Sequence, residues 1–315
     1  MKKDFISIKD LTTQDIEDIF ELTDKLKKDK SKFSKVLEGK TLVLLFQKPS
    51  NRTRVSFEVG AYQLGGNSIY LGPNEINLGV RESIQDVAKT LSRYADAIVL
   101  RTFEHKNILE LAKYSDKPVI NGLSDFSHPC QALADIYTIR EKLSRKSGIP
   151  KKAGKNIKGI TLAYIGDGNN VCNSLLYACA KVGLNMNVAA PEGYEPDKLV
   201  LKEAKGFAKS KSVSINLFNN PIEAVKGADV IYTDVWVSMG QEKEAQERKK
   251  VFKKFQVNKN LVKFAKKNAL IMHCLPAHRG EEITNEVIDS KNSIVFDQAE
   301  NRLHIQKAIL IILLK

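Results

Sequence analysis

Short apolar runs alternate with helix-like segments along almost the whole chain, and this alternation restricts the fold more than any other feature of the sequence. The run TLVLLF precedes a helical pattern through Val55, Val59 and Tyr62, and SIYLG, AIVLR and PVING each precede a further helical pattern. Strands that alternate with helices form parallel sheets whose two faces are covered by the helices. The sequence therefore predicts an α/β fold of parallel β-sheets flanked by helices.

A second series of the same kind follows a break rich in glycine and lysine, which predicts two domains. After KSGIPKKAGKNIKG, the segments ITLAYIG, NMNVAAP, VSINLF, DVIYTDVW, ALIMHCLP and SIVFD all read as strands. The length of 315 residues also favours two domains. We place the first domain at 1–143 and the second at 155–298, with a last helix, 299–315, that packs back onto the first domain.

The balance of charge allows two interpretations. The formal net charge is +13, from 50 Lys and Arg against 37 Asp and Glu. Such an excess indicates either a nucleic-acid-binding surface or a solvated surface rich in lysine. The lysines are scattered in segments such as DKLKKDKSK and FAKSKS, without a recognition-helix or zinc-finger pattern. We therefore expect a solvated surface and no nucleic-acid partner.

The cysteines and the two ends of the chain indicate the compartment. The four cysteines have neither metal-ligand spacing nor the density of a disulfide framework, which favours a reducing, cytoplasmic setting. The start MKKDFISIKDL lacks the apolar segment of a signal peptide. The end IQKAILIILLK is too short to span a bilayer and reads as a helix docked on the core. We expect no membrane partner.

Polar side chains collect where the predicted strands end, in both halves of the chain. They are Ser50–Arg54, Arg101, His128, Asn169, Asn170, Asp234 and Cys274. In open α/β sheets, ligands bind in the crevice outside the carboxyl ends of the strands. The sequence therefore predicts one site in the cleft between the two domains.

The charges at these strand ends predict two kinds of ligand group. A lining of Arg52, Arg54, Arg101 and His128 suits a phosphate or carboxylate, because guanidinium groups match such oxygens bidentately. A helix N-terminus, as expected after Phe46, also favours an anion. Asp234 suits a substrate ammonium group. The alternatives are a capping Ser or Thr beside solvated arginines, and an Asp234 that only caps the next turn.

The segment YIGDGNN resembles part of a dinucleotide-binding loop. The third glycine of that fingerprint is missing, because Val171 occupies its position. Glu192 follows the next predicted strand and stands where a ribose-binding acid would be expected. A nicotinamide-dependent dehydrogenase therefore remains an alternative from the residues alone.

Cys274 has three possible roles. It is a candidate nucleophile with His273 or His278, a buried strand cysteine, or a non-covalent neighbour of Asp234. Neighbouring residues of a strand face opposite ways, so Cys274 and His273 are not expected to act as a pair. We favour the non-covalent role.

Several motifs in order make the chain similar to the aspartate/ornithine carbamoyltransferase family. SNRTR resembles its carbamoyl-phosphate motif, HPCQ its His-Pro-x-Gln, and DVWVSMG and HCLP the signatures of its ornithine branch. The similarity extends from the first helix to AENRLHIQKA, essentially the whole chain.

The resemblance implies roles for particular residues. Those that hold the phosphate are Ser50, Asn51, Arg52 and Thr53. Those that polarise the carbamoyl oxygen and steady the leaving group are Arg101, His128 and Gln131. Those that bind the amino-acid end of L-ornithine are Asn170, Asp234, Ser238 and Met239. Cys274 and Leu275 lie by the side-chain amine and the carbamoyl group, with Arg302 nearby. Asn77 stands where relatives often carry the Gln or His that reaches a neighbouring subunit's site.

The implied reaction moves the carbamoyl group of carbamoyl phosphate to the side-chain amine of L-ornithine, with Arg101, His128, Asp234 and Cys274 as the catalytic residues. The resemblance implies no metal or organic cofactor, and a homotrimer or an assembly of trimers. Aspartate or putrescine as the acceptor is an alternative within the family. The SMG loop is expected to close when ornithine binds.

Overall fold

A computed structural model of the chain describes residues 3–146 and 157–315, in two compact units. The first unit contains the described residues up to Ala134 together with Glu300–Lys315, and the second extends from Asp135 to Ala299. The division falls inside two helices. The predicted glycine- and lysine-rich break lies largely outside the described residues, and the predicted domain boundaries stay a prediction.

The first unit is built on a four-stranded parallel sheet in the order β2-β1-β3-β4. Its strands are β1 (Thr41–Phe46), β2 (Asn67–Leu71), β3 (Ala97–Arg101) and β4 (Val119–Leu123). Its helices are α1 (Thr13–Lys28), α2 (Asn51–Gln63), α3 (Pro73–Ile76), α4 (Ile84–Tyr94) and α5 (His105–Tyr114). All of β3 and nearly all of β1 are buried, since each has a strand on both sides and helices over its faces.

The second unit is built on a five-stranded parallel sheet in the order β7-β6-β5-β8-β9. After α6 (Pro129–Lys146), which begins in the first unit, its strands are β5 (Thr161–Ile165), β6 (Asn185–Ala189), β7 (Ile215–Phe218), β8 (Val230–Thr233) and β9 (Leu270–His273). Its helices are α7 (Asn170–Val182), α8 (Lys198–Lys211), α9 (Pro221–Val225), α10 (Ala245–Phe252), α11 (Lys259–Val262) and α12 (Asn285–Ile288), followed by α13 (Val295–Leu314), which ends in the first unit. The predicted fold class, two parallel sheets flanked by helices, is confirmed.

Local sequence signals explain several helix starts. Thr12 accepts a hydrogen bond from the Asp15 backbone N–H, and the Asp15 carboxylate accepts one from Thr12 in return, so a capping box begins α1. Pro129 occupies the first position of α6, where its missing N–H costs no helical hydrogen bond. Both starts confirm the sequence prediction.

The prediction of a strand at SIVFD is wrong. Ser293 forms only an isolated bridge with Ile271, and α13 has already begun at Val295. Two adjacent β-branched residues, Ile294 and Val295, imitate a short strand, and a run this short cannot be distinguished from the first turn of a buried helix. Among the described residues, no helix has both the length and the apolar character needed to cross a membrane.

Candidate active site

In the first unit, strand register brings the ends of β1 and β3 to the same edge of the sheet. Phe46 pairs with Arg101, so the chain that leaves β1 towards α2 passes beside the arginine that ends β3. Ser50 caps α2, because its hydroxyl accepts a hydrogen bond from the Thr53 N–H at 3.2 Å. The capping alternative is therefore correct for Ser50, and the first turn of α2 is oriented by it.

A buried cationic cluster, formed by Arg101, His128 and Arg302, lies at this edge. Each of the three is at most 5% exposed. Arg302 donates through Nη1 to Gln131 Oε1 at 2.6 Å and through Nη2 to Thr53 Oγ1 at 3.1 Å. The structure thus brings α2, β3, α6 and α13 together around predicted site residues.

The electrostatics of the cationic cluster suit an anion. Burial, then the charges of Arg302 and Arg52, lower the pKa of Arg101 to about 9. Burial and the same kinds of neighbour hold the pKa of His128 well below its usual value, so its imidazole is neutral at neutral pH. Arg101 Nε has no hydrogen-bond partner among the described residues. A phosphate or carbamoyl oxygen placed here would relieve repulsion between the arginines and satisfy this donor.

Arg54 does not belong to the cationic cluster, so the prediction that it lines the site is wrong. Its Nε donates to Glu58 Oε1 at 3.0 Å, and its guanidinium lies 3.8 Å from the centre of the Tyr70 ring. Arg52 and Arg54 are two positions apart in α2, so their side chains leave the helix on nearly opposite sides. Only Arg52 acts on Arg101 and His128.

The remaining predicted residues of the first unit lie nearer the surface. Asn51, the first residue of α2, is exposed. Asn77 is exposed in the turn that ends α3, with a left-handed backbone conformation at φ 43°. Its position in a surface turn agrees with a side chain that acts outside its own cluster, but the contact with a neighbouring subunit stays a prediction.

In the second unit, Asp234 and Cys274 are joined directly. Asp234 follows β8 and Cys274 follows the adjacent β9, and the strands pair through Thr233 and His273. The Cys274 thiol donates to Asp234 Oδ1 at 2.9 Å. Asp234 also accepts hydrogen bonds from the Val235 backbone N–H and from Asn169 Nδ2, both at 2.8 Å. Asp234 therefore both caps the following turn and contacts Cys274.

Sequence reasoning did not assign the role of Asn169. Its side-chain oxygen caps α7 by accepting the N–H groups of Val171 and Cys172, while its amide nitrogen holds Asp234. An Asn directly before a helix that follows a glycine loop is the signal that indicates the cap. Asn170, the predicted ligand, is the half-buried first residue of the helix.

Ser238 and Met239 lie in a loop stabilised by its own hydrogen bonds. The Ser238 N–H donates to Gln241 Oε1, and the Gln241 N–H donates to the Ser238 carbonyl, both at 3.0 Å. Met239 is 45% exposed. Arg248 anchors the start of this loop, because its Nη1 donates to the Trp236 carbonyl and to Asp167 Oδ2, both at 3.1 Å.

The glycine loop before α7 does not have the form of a dinucleotide site. A Cβ at Gly168 would lie 2.1 Å from the backbone nitrogen of Pro196, so this chain's own segment fills the space over the glycine. In a dinucleotide fingerprint, the second glycine leaves that space to the pyrophosphate. Val171, at the third glycine's position, is buried. The geometry argues against the dehydrogenase alternative.

Cys274 has no general base beside it. Burial and the adjacent Asp234 charge raise the pKa of the Cys274 thiol well above its usual value. Both ring nitrogens of His273 are occupied by other partners, the Leu275 N–H and Glu282. The favoured non-covalent role therefore agrees with the geometry better than nucleophilic catalysis does.

The raised thiol pKa gives a testable expectation for alkylation. An ordinary thiol has a pKa of about 8.5, so at pH 8 a sizeable fraction of it is thiolate. We expect iodoacetamide to modify partly exposed Cys274 at least about 10-fold more slowly than a cysteine peptide at pH 8, with a rate still rising above pH 9. Peptide mass spectrometry over a pH series measures this. A Cys274 rate that levels off below pH 9 would contradict the proposed environment.

Two parallel-sheet units, one with buried cations at its strand ends and one with an acid–thiol pair there, define a two-domain α/β enzyme for an anionic and an amine substrate. The carbamoyl-P binding domain of aspartate/ornithine carbamoyltransferases matches residues 3–141, and the Asp/Orn binding domain of the same family matches residues 158–313. The chain belongs to the aspartate/ornithine carbamoyltransferase family.

Full-length relatives agree with this assignment. The ornithine carbamoyltransferase of Thermococcus kodakarensis is 55% identical over 310 residues, which cover 98% of this chain and 95% of the relative. The anabolic ornithine carbamoyltransferase of Pyrococcus furiosus is 55% identical over 311 residues, with the same two coverages. The predicted family and the predicted carbamoyltransferase activity are confirmed.

Solved structures give the same result. The ornithine carbamoyltransferase from Pyrococcus furiosus superposes with a TM-score of 0.92 at 54% identity, over 99% of this chain and 96% of that one. The enzyme from Thermus thermophilus superposes with a TM-score of 0.87 at 40% identity, over the full length of both chains.

Proposed function

We infer that the chain is an ornithine carbamoyltransferase, which forms L-citrulline and phosphate from carbamoyl phosphate and L-ornithine. The observation that carries the acceptor assignment is the acid–thiol pair of Asp234 and Cys274 at the strand ends of the second unit. A carboxylate there suits an ammonium group and repels a second substrate carboxylate. The two full-length relatives described above carry the same activity in their names.

The state of Arg279 argues against aspartate as the acceptor. The additional carboxylate of aspartate would need a cation, and Arg279 is the arginine closest in sequence to the HCLP motif. Its two Nη atoms instead donate to the two oxygens of Asp289 at 2.5 and 2.9 Å, and Nη1 also donates to Asn285. This pairing already satisfies the guanidinium.

The first unit binds carbamoyl phosphate in this proposal. Ser50, Asn51, Arg52 and Thr53 hold the phosphate at the N-terminus of α2, where helix dipole and side-chain charge act together. Arg302 braces Thr53 and Gln131 from α13. The phosphate leaves as an anion that these groups already bind.

The transition state is stabilised by preplaced donors. Attack of the neutral side-chain amine on the carbamoyl carbon forms a C–N bond and moves negative charge onto the carbamoyl oxygen; the C–O bond to phosphate then breaks. Arg101, Thr53 and neutral His128 donate to that oxygen, since the lowered pKa of His128 makes it a donor rather than an acid. Gln131 steadies the leaving side.

The second unit orients the acceptor. Asn170, Asp234, Ser238 and Met239 bind the amino-acid end of ornithine, while Cys274 and Leu275 lie beside the side-chain amine and the carbamoyl group. Alignment of two bound substrates supplies a large part of the acceleration. No group of the proposal needs a metal or an organic cofactor.

Assembly and location complete the proposal. The chain forms a homotrimer or an assembly of trimers in the cytoplasm, and Asn77 acts in the site of a neighbouring subunit. Its exposed, left-handed turn supports this role, because the side chain stands away from its own sheet. Size-exclusion chromatography with light scattering measures the assembly.

An acceptor assay tests the function. With carbamoyl phosphate present, we expect citrulline from ornithine and a kcat/KM at least about 100-fold lower for aspartate and for putrescine, since each places a wrong charge against the site. Product is measured by chromatography. Faster turnover of aspartate than of ornithine would overturn the assignment.

The Arg279→Met variant is a control for this assay, because the pairing with Asp289 places Arg279 outside the acceptor's charge. Its ornithine and aspartate kinetics are expected to match those of the unchanged protein.

A further inference from the structure

His273 is held from three sides at the end of β9, although the proposed reaction gives it no role. It is fully buried, and so is Glu282. His273 Nε2 lies 3.0 Å from Glu282 Oε1, the Leu275 N–H donates to Nδ1 at 2.8 Å, and the His273 N–H donates to Gln298 Oε1 at 3.0 Å. The ring therefore has a single orientation between Glu282 and the backbone of Leu275.

These contacts assign the tautomer. Nδ1 accepts the Leu275 N–H, so it carries no hydrogen of its own. The one ring proton is then on Nε2 and points to Glu282 Oε1. Glu282 Oε1 also accepts the His278 N–H at 2.6 Å, which fixes the carboxyl group as an acceptor. A carboxyl group that selects the tautomer of a neighbouring His also fixes what its other nitrogen can bind.

The bond from Leu275 orients a peptide group of the site. The Cys274–Leu275 peptide is planar and trans, so its N–H and C=O point in opposite directions. Because His273 holds the N–H on the buried side, the Cys274 carbonyl is directed away from that side. Leu275 has φ 58°, a left-handed conformation that a branched residue adopts only where its surroundings impose it.

We propose that Glu282 is a positioning residue, which acts through the Nε2–H tautomer of His273 to fix the Cys274–Leu275 peptide beside the reacting groups. The proposal rests on the proposed function for the meaning of that position. Without the Glu282 acceptor, the ring proton moves to Nδ1, where it opposes the Leu275 N–H. The peptide then rotates, and both the Cys274 carbonyl and the thiol lose their alignment.

Paired variants test this role. We expect Glu282→Ala to lower kcat by about 10- to 100-fold, as a displacement of aligned groups does, with a smaller change in the KM for carbamoyl phosphate. Glu282→Gln should restore most of the rate, because its amide oxygen can accept from both His273 and His278. Glu281→Ala is the matched control: its carboxylate pairs with Lys249 at 2.6 Å, and we expect kinetics within about twofold of the unchanged protein.

A spectroscopic signature separates positioning from simple stability. The chain has five histidines, so ¹⁵N-histidine labelling gives few signals. The Nε2–H pattern of His273 should be present in the unchanged protein, in Glu282→Gln and in Glu281→Ala, and lost in Glu282→Ala. Absence of citrulline formation by the unchanged protein would defeat the proposed function, and the tautomer would still be measured.

A folded Glu282→Ala that keeps both the tautomer and kcat overturns the positioning role. If that variant does not fold, His273→Asn and His273→Ala replace it. Asn offers an acceptor to the Leu275 N–H and should retain more activity than Ala; equal rates overturn the proposal.

Discussion

Replacing Arg101 by Met is expected to lower kcat/KM by about 1,000-fold, because it removes a buried donor aimed at developing negative charge. Arg101 is only 4% exposed and ends β3, so the loss cannot be compensated by a mobile surface cation. Met has a similar length and no charge, which leaves the shape of the site largely intact. The KM for carbamoyl phosphate should rise and the rate at saturation should fall, since the guanidinium contacts both ground and transition states.

Stability should respond in the opposite direction to activity. Burial and two neighbouring arginines lower the pKa of Arg101, so the folded state binds its proton more weakly than the unfolded state does. Between the lowered pKa and the ordinary one, the unfolded chain holds more protons, and stability rises with pH; below both, the cation destabilises the ligand-free fold. Arg101→Met removes that cost. We expect a ligand-free Tm equal to or above that of the unchanged protein.

Thermal unfolding with and without phosphate measures both effects. Added phosphate should raise the Tm of the unchanged protein and raise that of Arg101→Met much less. Arg54→Met is the control, since Arg54 belongs to the same motif but pairs with Glu58, and both its kinetics and its phosphate effect should be normal. A clearly lowered Tm in Arg101→Met, together with near-normal kinetics, would identify Arg101 as structural instead.

The alternation of strands and helices allowed the fold class to be predicted, because hydrophobic patterning reports burial directly. Strand ends also identified Arg101, Asp234 and Cys274, since parallel strands bring their carboxyl ends to one edge. Arg302 was identified only by resemblance. Its contacts with Thr53 and Gln131 join residues far apart in sequence, which no local pattern records.

The errors have equally physical causes. Arg54 was grouped with Arg52 because both follow the same strand, yet helical geometry sends the two side chains to different sides. Glu282 was not identified, because it lies in an irregular segment without periodicity. Its importance comes from a tertiary contact with His273 that only the folded chain makes.

The second large effect is expected at Asp234. In Asp234→Asn, the kcat/KM for ornithine should fall by about 100- to 1,000-fold, because an amide cannot balance a protonated amine and its NH₂ group opposes the Asn169 donor. Binding of phosphate by the first unit should be unchanged in a thermal shift. The loss of the carboxylate also removes one cause of the raised pKa of Cys274, so alkylation of Cys274 should become faster.

Asp229→Asn is the matched control, because the two acids stand at opposite ends of the same strand. Asp229 precedes β8, where it accepts the Thr161 N–H at 3.0 Å and pairs with Lys266 at 2.7 Å. Its replacement should lower stability without changing ornithine kinetics, while Asp234→Asn should do the reverse. If both variants lose stability and keep their turnover of ornithine, Asp234 is a structural cap like Asp229, and the acceptor must be bound by other residues.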